Sequence, residues 1–125
     1  MILLLDAHAL LWSLTDDPRL SASARRAIRD PANDVLASAA SLWELEVKRV
    51  AGRLEAPADM LATLEESQID ALPLTGSDAI VAAGLPPHHR DPFDRMVIAQ
   101  AQRLDAVIVT RDRAFADYDV KVLTA

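Results

Sequence analysis

A chain of 125 residues, of which 51% are hydrophobic, is long enough to form one domain with a buried core. It contains no cysteine, which excludes a disulfide framework, a thiolate metal site and a thiol nucleophile. The net charge of −6, from 19 acidic and 13 basic residues, differs from the basic footprint that nucleic-acid-binding proteins usually show.

The N-terminal run MILLLDAHALLW predicts a buried first strand rather than a secretory signal, because Asp6 and His8 interrupt it and no lysine or arginine precedes it. No apolar run approaches the roughly 18 residues that a membrane span requires. We therefore expect a protein without a membrane segment, located in the cytoplasm.

Short apolar strands alternate with helices along the rest of the chain. In chain order the pattern predicts strand 2–5, helix 6–14, helix 21–29, strand 35–37, helix 39–50, helix 57–66, strand 69–72, helix 77–83, helix 92–104, strand 106–109, a helical turn at 113–116 and strand 120–123. Continuously apolar strands between helices are typical of a parallel sheet covered on both faces. The sequence therefore predicts one α/β domain over residues 1–125.

Acidic residues recur where the predicted strands end. Asp6 directly follows ILLL, and Asp112 follows AVIV within the stretch VTRD. Glu44 lies early in the helix after VLA, and Asp91 and Asp94 flank the start of the helix at 92. Ligands of open parallel sheets bind beyond the carboxyl ends of the strands, so we expect these carboxylates at one edge.

Each acidic residue also has a structural explanation. Asp6, Asp91 and Asp112 each precede a helix and could accept backbone N–H bonds as N-caps, worth about 1 kcal/mol each. Asp91 followed by proline is a typical helix start. Glu44 could instead pair with Lys48 one turn along the helix, which is a weak interaction.

Taken together, the carboxylates favour a cation site. Several uncompensated carboxylates at one edge repel one another and raise each other's pKa, and a divalent cation removes that repulsion. Oxygen ligands in a chain without cysteine favour a hard ion such as Mg²⁺ or Mn²⁺. Such an ion can activate water and neutralise phosphate charge, so the pattern indicates hydrolysis of a phosphodiester.

Four ordered blocks resemble PIN-domain proteins, most of all the VapC-type toxins of bacterial toxin–antitoxin pairs. The blocks are DAHALLW at 6–12, SAASLWELEVKRVAGRL at 38–54, HHRDPFDRMVIAQA at 88–101 and VTRDRAF at 109–115. The resemblance implies a three-layer α/β/α domain with a central parallel five-stranded sheet. It also implies a Mg²⁺- or Mn²⁺-dependent endoribonuclease, a hydrolase of RNA, that forms a homodimer and is blocked by a cognate antitoxin.

The resemblance also assigns roles to residues. The family's acidic quartet falls on Asp6, Glu44, Asp94 and Asp112. Asp6, Asp94 and Asp112 are expected to organise the metal, and Glu44 to help hold it or to orient the attacking water. Asp91 is an additional acid that could act through water, and Thr110 fits the hydroxyl residue before the last acid. Ala7 departs from the family, in which threonine is common, and this removes a hydroxyl but no ligand.

Basic residues near the acids have two readings. Lys48, Arg95 and Arg111 are candidate phosphate contacts, and ion pairing with the acids is the alternative. His88 and His89 could form a metal site, but a histidine pair in a proline-rich loop is more often at the surface.

Two other classes of function stay open. A catalytically silent PIN module that binds RNA or protein is the main alternative, although an intact acidic quartet argues against it. A metal-dependent phosphatase of the haloacid dehalogenase type would need an aspartate two residues after the first one, and position 8 is His8. The sequence identifies neither the RNA that is cut nor the antitoxin, because no short motif encodes them.

Overall fold

All residues from 1 to 125 are described by the computed structural model, and its centre is a five-stranded sheet. The strands are β1 (Ile2–Leu5), β2 (Asp34–Ser38), β3 (Asp70–Leu72), β4 (Val107–Thr110) and β5 (Lys121–Thr124). Their order across the sheet is β3-β2-β1-β4-β5, and every neighbouring pair is parallel. The predicted parallel five-stranded sheet is therefore confirmed.

Six helices connect the strands, in the order that the sequence predicts. They are α1 (Ala7–Leu14), α2 (Ala22–Arg29), α3 (Ala39–Val50), α4 (Met60–Glu66), α5 (Gly76–Gly84) and α6 (Pro92–Leu104), and a short 3-10 helix covers Arg113–Asp117. None of these helices has the length and the apolar composition needed to cross a lipid bilayer.

The central strand is buried on both faces because its side chains alternate between two apolar clusters. Leu3 and Leu5 pack with Leu10 of α1 on one face, whereas Leu4 packs with Ile98 of α6 on the other. All of these side chains are fully buried. Helices therefore cover both faces of the sheet, which confirms the predicted α/β/α arrangement.

One helix starts later than predicted. The helix expected over 57–66 begins at Met60, and Pro57 lies in the loop before it. The Asp59 carboxylate accepts the N–H of Ala62 at 3.2 Å, so an aspartate cap rather than a proline starts the helix. The other helix starts and the strand ends differ from the prediction by at most one residue.

Strand order reverses at β1, which lies between β2 and β4. Leu5 is in register with Ala37 of β2 and with Val109 of β4, so these three strands end together. In parallel sheets, ligands bind at such a switch point, beyond the carboxyl ends of the strands. The residues that follow Leu5 and Val109 therefore lie at the edge where the sequence predicts the acidic site.

Candidate active site

Asp6 is the first residue after β1 and caps α1. Its Oδ1 accepts the N–H of Ala9 at 2.8 Å, and its Oδ2 accepts the hydroxyl of Thr110. The side chain is buried, and burial raises the pKa of Asp6, while the bonds from Thr110 and Ala9 act in the opposite direction. The negative charge of Glu44 also raises the pKa of Asp6, which places the two carboxylates within electrostatic range.

Thr110 joins two of the predicted acids. Besides its bond to Asp6, its Oγ1 accepts the N–H of Asp112 at 3.0 Å. Asp112 in turn caps the 3-10 helix, because its Oδ1 accepts the N–H of Ala114 at 2.9 Å. The buried Thr110 hydroxyl therefore links the end of β1 to the loop after β4 through two hydrogen bonds.

Asp91 starts α6, as the sequence predicts. Its Oδ1 accepts the N–H groups of Phe93 at 2.8 Å and Asp94 at 3.2 Å, with proline at the first helical position. This cap places Asp94 inside the first turn of the helix. One carboxylate oxygen each from Glu44, Asp91 and Asp94 lies within 4.8 Å of the others.

Asp94 lies at the centre of the acidic cluster. Burial, followed by the negative charges of Asp91, Asp6, Glu44 and Asp112, raises the pKa of Asp94 to about 8. The carboxylates that the sequence places at one edge are therefore close enough to disfavour the ionised form of Asp94.

Glu44 projects from the second turn of α3 and is 8% exposed. Its Oε2 accepts a hydrogen bond from Lys48 Nζ at 2.9 Å, which is the ion pair that the sequence offered as an alternative. The Lys48 side chain is 40% exposed, so its ammonium group lies between the acids and solvent.

His89 belongs to the site, so the expectation of a surface histidine does not hold for it. Its Nε2 lies 2.8 Å from Oδ2 of Asp94 and 2.9 Å from Oδ2 of Asp112, and its side chain is only 13% exposed. His88 is exposed and contacts Tyr118 instead, with ring centroids 5.2 Å apart. One indication in the sequence that His89 could lie at the site is its position, two residues before Asp91, the aspartate that caps α6.

Arg95, one of the predicted phosphate contacts, is bonded to the backbone of the loop before α6 rather than to the acids. Its five guanidinium N–H groups are directed at backbone carbonyls at 2.6 to 3.4 Å, those of Ala82, Ala83, Leu85, Pro86 and His89. A phosphate contact would require some of these bonds to break, so Arg95 instead fixes the loop before α6.

Arg111 is likewise engaged elsewhere. Its Nε and Nη2 donate to the carbonyl of Ala125 at 3.2 and 2.9 Å, and Nη2 also donates to the carbonyl of Arg19. Its guanidinium lies over the ring of Trp12, 4.7 Å from the centroid. Of the three predicted phosphate contacts, Lys48 is the one whose charge lies beside the acidic cluster.

The donor set suits a hard divalent cation. Two groups of ligand atoms lie within 4.8 Å, Glu44 with Asp91 and Asp94, and His89 with Asp94 and Asp112. Asp94 is common to both groups, and all donors except the imidazole are carboxylate oxygens, which Mg²⁺ and Mn²⁺ prefer. Burial and the neighbouring negative charges together raise the pKa of Asp94, and a bound cation would offset both effects.

The fold and this edge of acids define a PIN domain. The family model described as PIN domain matches residues 3–121, and the chain belongs to this family.

Among individual proteins, the chain is 31% identical over 113 residues to Ribonuclease VapC22 of Mycobacterium tuberculosis, covering 88% of this chain and 86% of that protein. It is also similar in structure to VapBC2 from Rickettsia felis bound to a DNA fragment from its promoter, with a TM-score of 0.71 and 14% identity over 98% of each chain. A toxin-antitoxin complex from Klebsiella pneumoniae gives a TM-score of 0.68 and 19% identity over 97% of this chain and 95% of that one.

Proposed function

We propose that this protein is a metal-dependent endoribonuclease that hydrolyses RNA phosphodiester bonds and acts as the toxin of a toxin–antitoxin pair. The observation that carries the proposal is that Asp94 belongs to two groups of ligand atoms, one with Glu44 and one with Asp112, that each lie within 4.8 Å, while the charge of Asp6 also acts on Asp94. A relative 31% identical is named a ribonuclease, which supports the same chemistry.

The cation site in this proposal is formed by Asp6, Asp94 and Asp112, and the ion is Mg²⁺ or Mn²⁺. When bound, the cation would neutralise phosphate charge and lower the pKa of a water molecule. Thr110 holds Asp6 and the backbone of Asp112 in fixed relation, so these two carboxylates need little rearrangement. Asp91 keeps its capping bonds and thereby orients the first turn of α6.

Glu44 is the residue that we assign to the attacking water. Its buried carboxylate lies within 4.8 Å of an oxygen of Asp94 and can accept a hydrogen bond from water at the edge of the cluster. Lys48 donates a hydrogen bond to the Glu44 carboxylate at 2.9 Å and so helps fix its orientation. The same ammonium group is partly exposed and available to an RNA phosphate.

An antitoxin partner is the second part of the proposal. The structural relatives include a toxin-antitoxin complex. A groove of about 610 Å³ between α3 and α4 is lined mainly by apolar side chains, including the exposed Trp43 and Leu61. An apolar surface of this kind is typical of a protein interface. Binding of a cognate antitoxin there, next to the helix that carries Glu44, would account for inhibition.

We further propose a homodimer that acts in the cytoplasm. Ile80 and Val81 on α5 are 76% and 43% exposed, and these apolar side chains offer a face for a second copy. Light scattering during size-exclusion chromatography tests this, with twice the 13.6 kDa chain mass expected and a monomer as the contrary result.

The experiment for the activity is incubation of the purified protein with structured RNA and Mg²⁺ or Mn²⁺, in parallel with EDTA. We expect cleavage with either cation, none with EDTA, and none for Asp6→Asn or Asp94→Asn. Asp105→Asn is the matched control, because the Asp105 side chain is 86% exposed and lies at the opposite end of α6. RNA binding without cleavage under every cation would instead identify a catalytically silent PIN module.

A further inference from the structure

We propose that His89 is a positioning residue whose Nε2–H group donates to Asp112 and lies against Asp94 in the ion-free protein, and that it does not itself bind the cation. The inference rests on the proposed function, since it concerns the same cation site. It assigns a role to a residue outside the acidic quartet.

One ring nitrogen of His89 lies against two of the acids. His89 Nε2 lies 2.9 Å from Oδ2 of Asp112, to which it is hydrogen-bonded, and 2.8 Å from Oδ2 of Asp94, with which it makes a close polar contact. A donor N–H directed at the Asp112 carboxylate is favourable because it satisfies an oxygen that carries negative charge. His89 therefore links the first turn of α6 to the loop after β4.

The second step is the position of the ring proton. The backbone N–H of Asp91 points at Nδ1 of His89 at 3.2 Å. Because a peptide N–H can only donate, Nδ1 must accept and carries no proton, so the ring N–H is on Nε2. A histidine that binds a metal through Nε2 carries its proton on Nδ1, which here would face the N–H of Asp91. The geometry thus favours His89 Nε2 as a hydrogen-bond donor to Asp112 rather than as a ligand of the cation.

The third step is that the ring and its backbone are held on several sides. The His89 N–H donates to the Tyr118 hydroxyl at 2.8 Å, and that hydroxyl donates to the carbonyl of Pro86 at 2.6 Å. The His89 carbonyl accepts a hydrogen bond from Arg95 at 3.0 Å, and the ring packs edge-on against Phe115. The Nε2–H group is therefore placed by the fold rather than by a mobile loop.

The Nε2–H group of His89 and a cation would compete for the same carboxylate oxygens of Asp94 and Asp112. In the ion-free protein the Nε2–H group donates to Oδ2 of Asp112 and lies against Oδ2 of Asp94, and a cation that uses those oxygens must displace it. Removing the imidazole should destabilise the ion-free state more than the loaded state, so cation affinity should rise. If His89 were instead a cation ligand, removing its imidazole would lower the cation affinity.

The test is calorimetric titration of the full chain with Mn²⁺ for the wild type, His89→Ala, His89→Gln and His88→Ala. We expect His89→Ala to bind on the order of tenfold more tightly, since it loses a hydrogen bond to charged groups. His89→Gln retains an N–H donor and should bind close to the wild type, as should His88→Ala. Weaker binding or unchanged binding by His89→Ala would overturn the proposal.

A second measurement needs no variant. Long-range ¹⁵N–¹H correlation spectra of the wild-type imidazole, recorded before and after Mg²⁺ addition, should show the His89 proton on Nε2 in both states. A proton on Nδ1 after Mg²⁺ addition would identify a ligand and overturn the proposal.

The two proposals can fail separately. If the wild type binds no Mn²⁺, the cation site of the proposed function falls, and the role of His89 falls with it. If the wild type binds Mn²⁺ and Asp94→Asn does not, but His89→Ala is unchanged or weaker, then only the inference about His89 is wrong.

Discussion

The hydroxyl of Thr110 donates a hydrogen bond to Oδ2 of Asp6 across 104 positions of sequence. The contact exists because β1 and β4 are parallel neighbours with Leu5 opposite Val109, so the residues that follow them meet at one edge. The same Oγ1 accepts the N–H of Asp112. One buried side chain thus sets the relation between two carboxylates of the proposed cation site.

Replacing this hydroxyl should affect both stability and activity. Thr110→Val keeps the side-chain shape but leaves the Asp112 N–H without its partner and removes a donor to Asp6. We expect a loss of about 1 to 3 kcal/mol in the free energy of unfolding by urea denaturation. RNA cleavage should fall about 10- to 100-fold, as for other residues that orient metal ligands. Thr110→Ser, which keeps the hydroxyl, should recover most of both, and a Thr110→Val protein with wild-type cleavage would contradict this role.

Asp94→Asn should stabilise the ion-free protein while it removes the response to cation. An amide adds no charge to the cluster formed with Asp6, Glu44 and Asp112, and its oxygen can still lie in contact with His89 Nε2. In EDTA, the free energy of unfolding should rise by about 1 to 2 kcal/mol.

Thermal unfolding with and without Mn²⁺ tests whether Asp94→Asn removes the stabilisation by the cation. The cation should raise the Tm of the wild type and leave that of Asp94→Asn unchanged. An Asp94→Asn protein that is less stable than the wild type in EDTA would show that the charge at this position is already compensated.

The helices, the strands and the acidic edge were predictable because their signals are local. Strands such as ILLL and AVIV are apolar throughout, and Asp6, Ser21 and Asp91 precede helices that they cap. Once a parallel sheet is inferred, the rule that ligands lie beyond the strand ends brings the acids together. The start of α4 was missed because proline and aspartate both mark helix starts.

The roles of His89 and Arg95 were not predictable from the sequence. Both depend on the path of the loop 85–91, which contains consecutive prolines and has no periodicity to interpret. Arg95 is directed to backbone carbonyls of that loop, and His89 is directed back to the acids. Sequence proximity to an acid therefore did not reveal that Arg95 is bonded to this loop, or which of the two histidines contacts the acids.

Acid sensitivity should come in part from a buried ion pair outside the site. Asp78 is 2% exposed and accepts hydrogen bonds from Arg103 at 2.8 and 3.0 Å. These bonds hold the pKa of Asp78 below its usual value of 3.8. A depressed pKa in the folded state means that the stabilisation is complete above the usual pKa and is lost as pH falls through the lower, folded-state pKa.

Urea denaturation between neutral pH and about pH 3 tests this. Asp78→Asn should be less stable than the wild type by about 1 to 3 kcal/mol at neutral pH, and the difference should shrink below about pH 4. Asp105→Asn is the control, because its pair with Lys121 is exposed and should contribute about 0.5 kcal/mol or less. A difference for Asp78→Asn that does not change with pH would contradict the assignment.

Arg95→Lys should destabilise the loop before α6. Lysine has three donors on a point charge and cannot reproduce the planar set of five bonds to carbonyls. We expect a loss of about 1.5 to 3 kcal/mol, and hydrogen exchange should show reduced protection at the N–H of His89. Arg90→Lys, at an exposed neighbouring position, should change stability by about 0.5 kcal/mol or less. Equal effects of the two substitutions would show that the carbonyl contacts of Arg95 contribute little.

Anomalous diffraction from crystals of this protein grown with Mn²⁺ would locate the proposed cation directly. We expect a peak at the site formed by Asp6, Asp94 and Asp112, beside Glu44, and its loss in Asp94→Asn crystals grown in the same way. A wild-type crystal with no peak at this edge, or with its peak on another surface, would contradict the claim that these acids form a cation site.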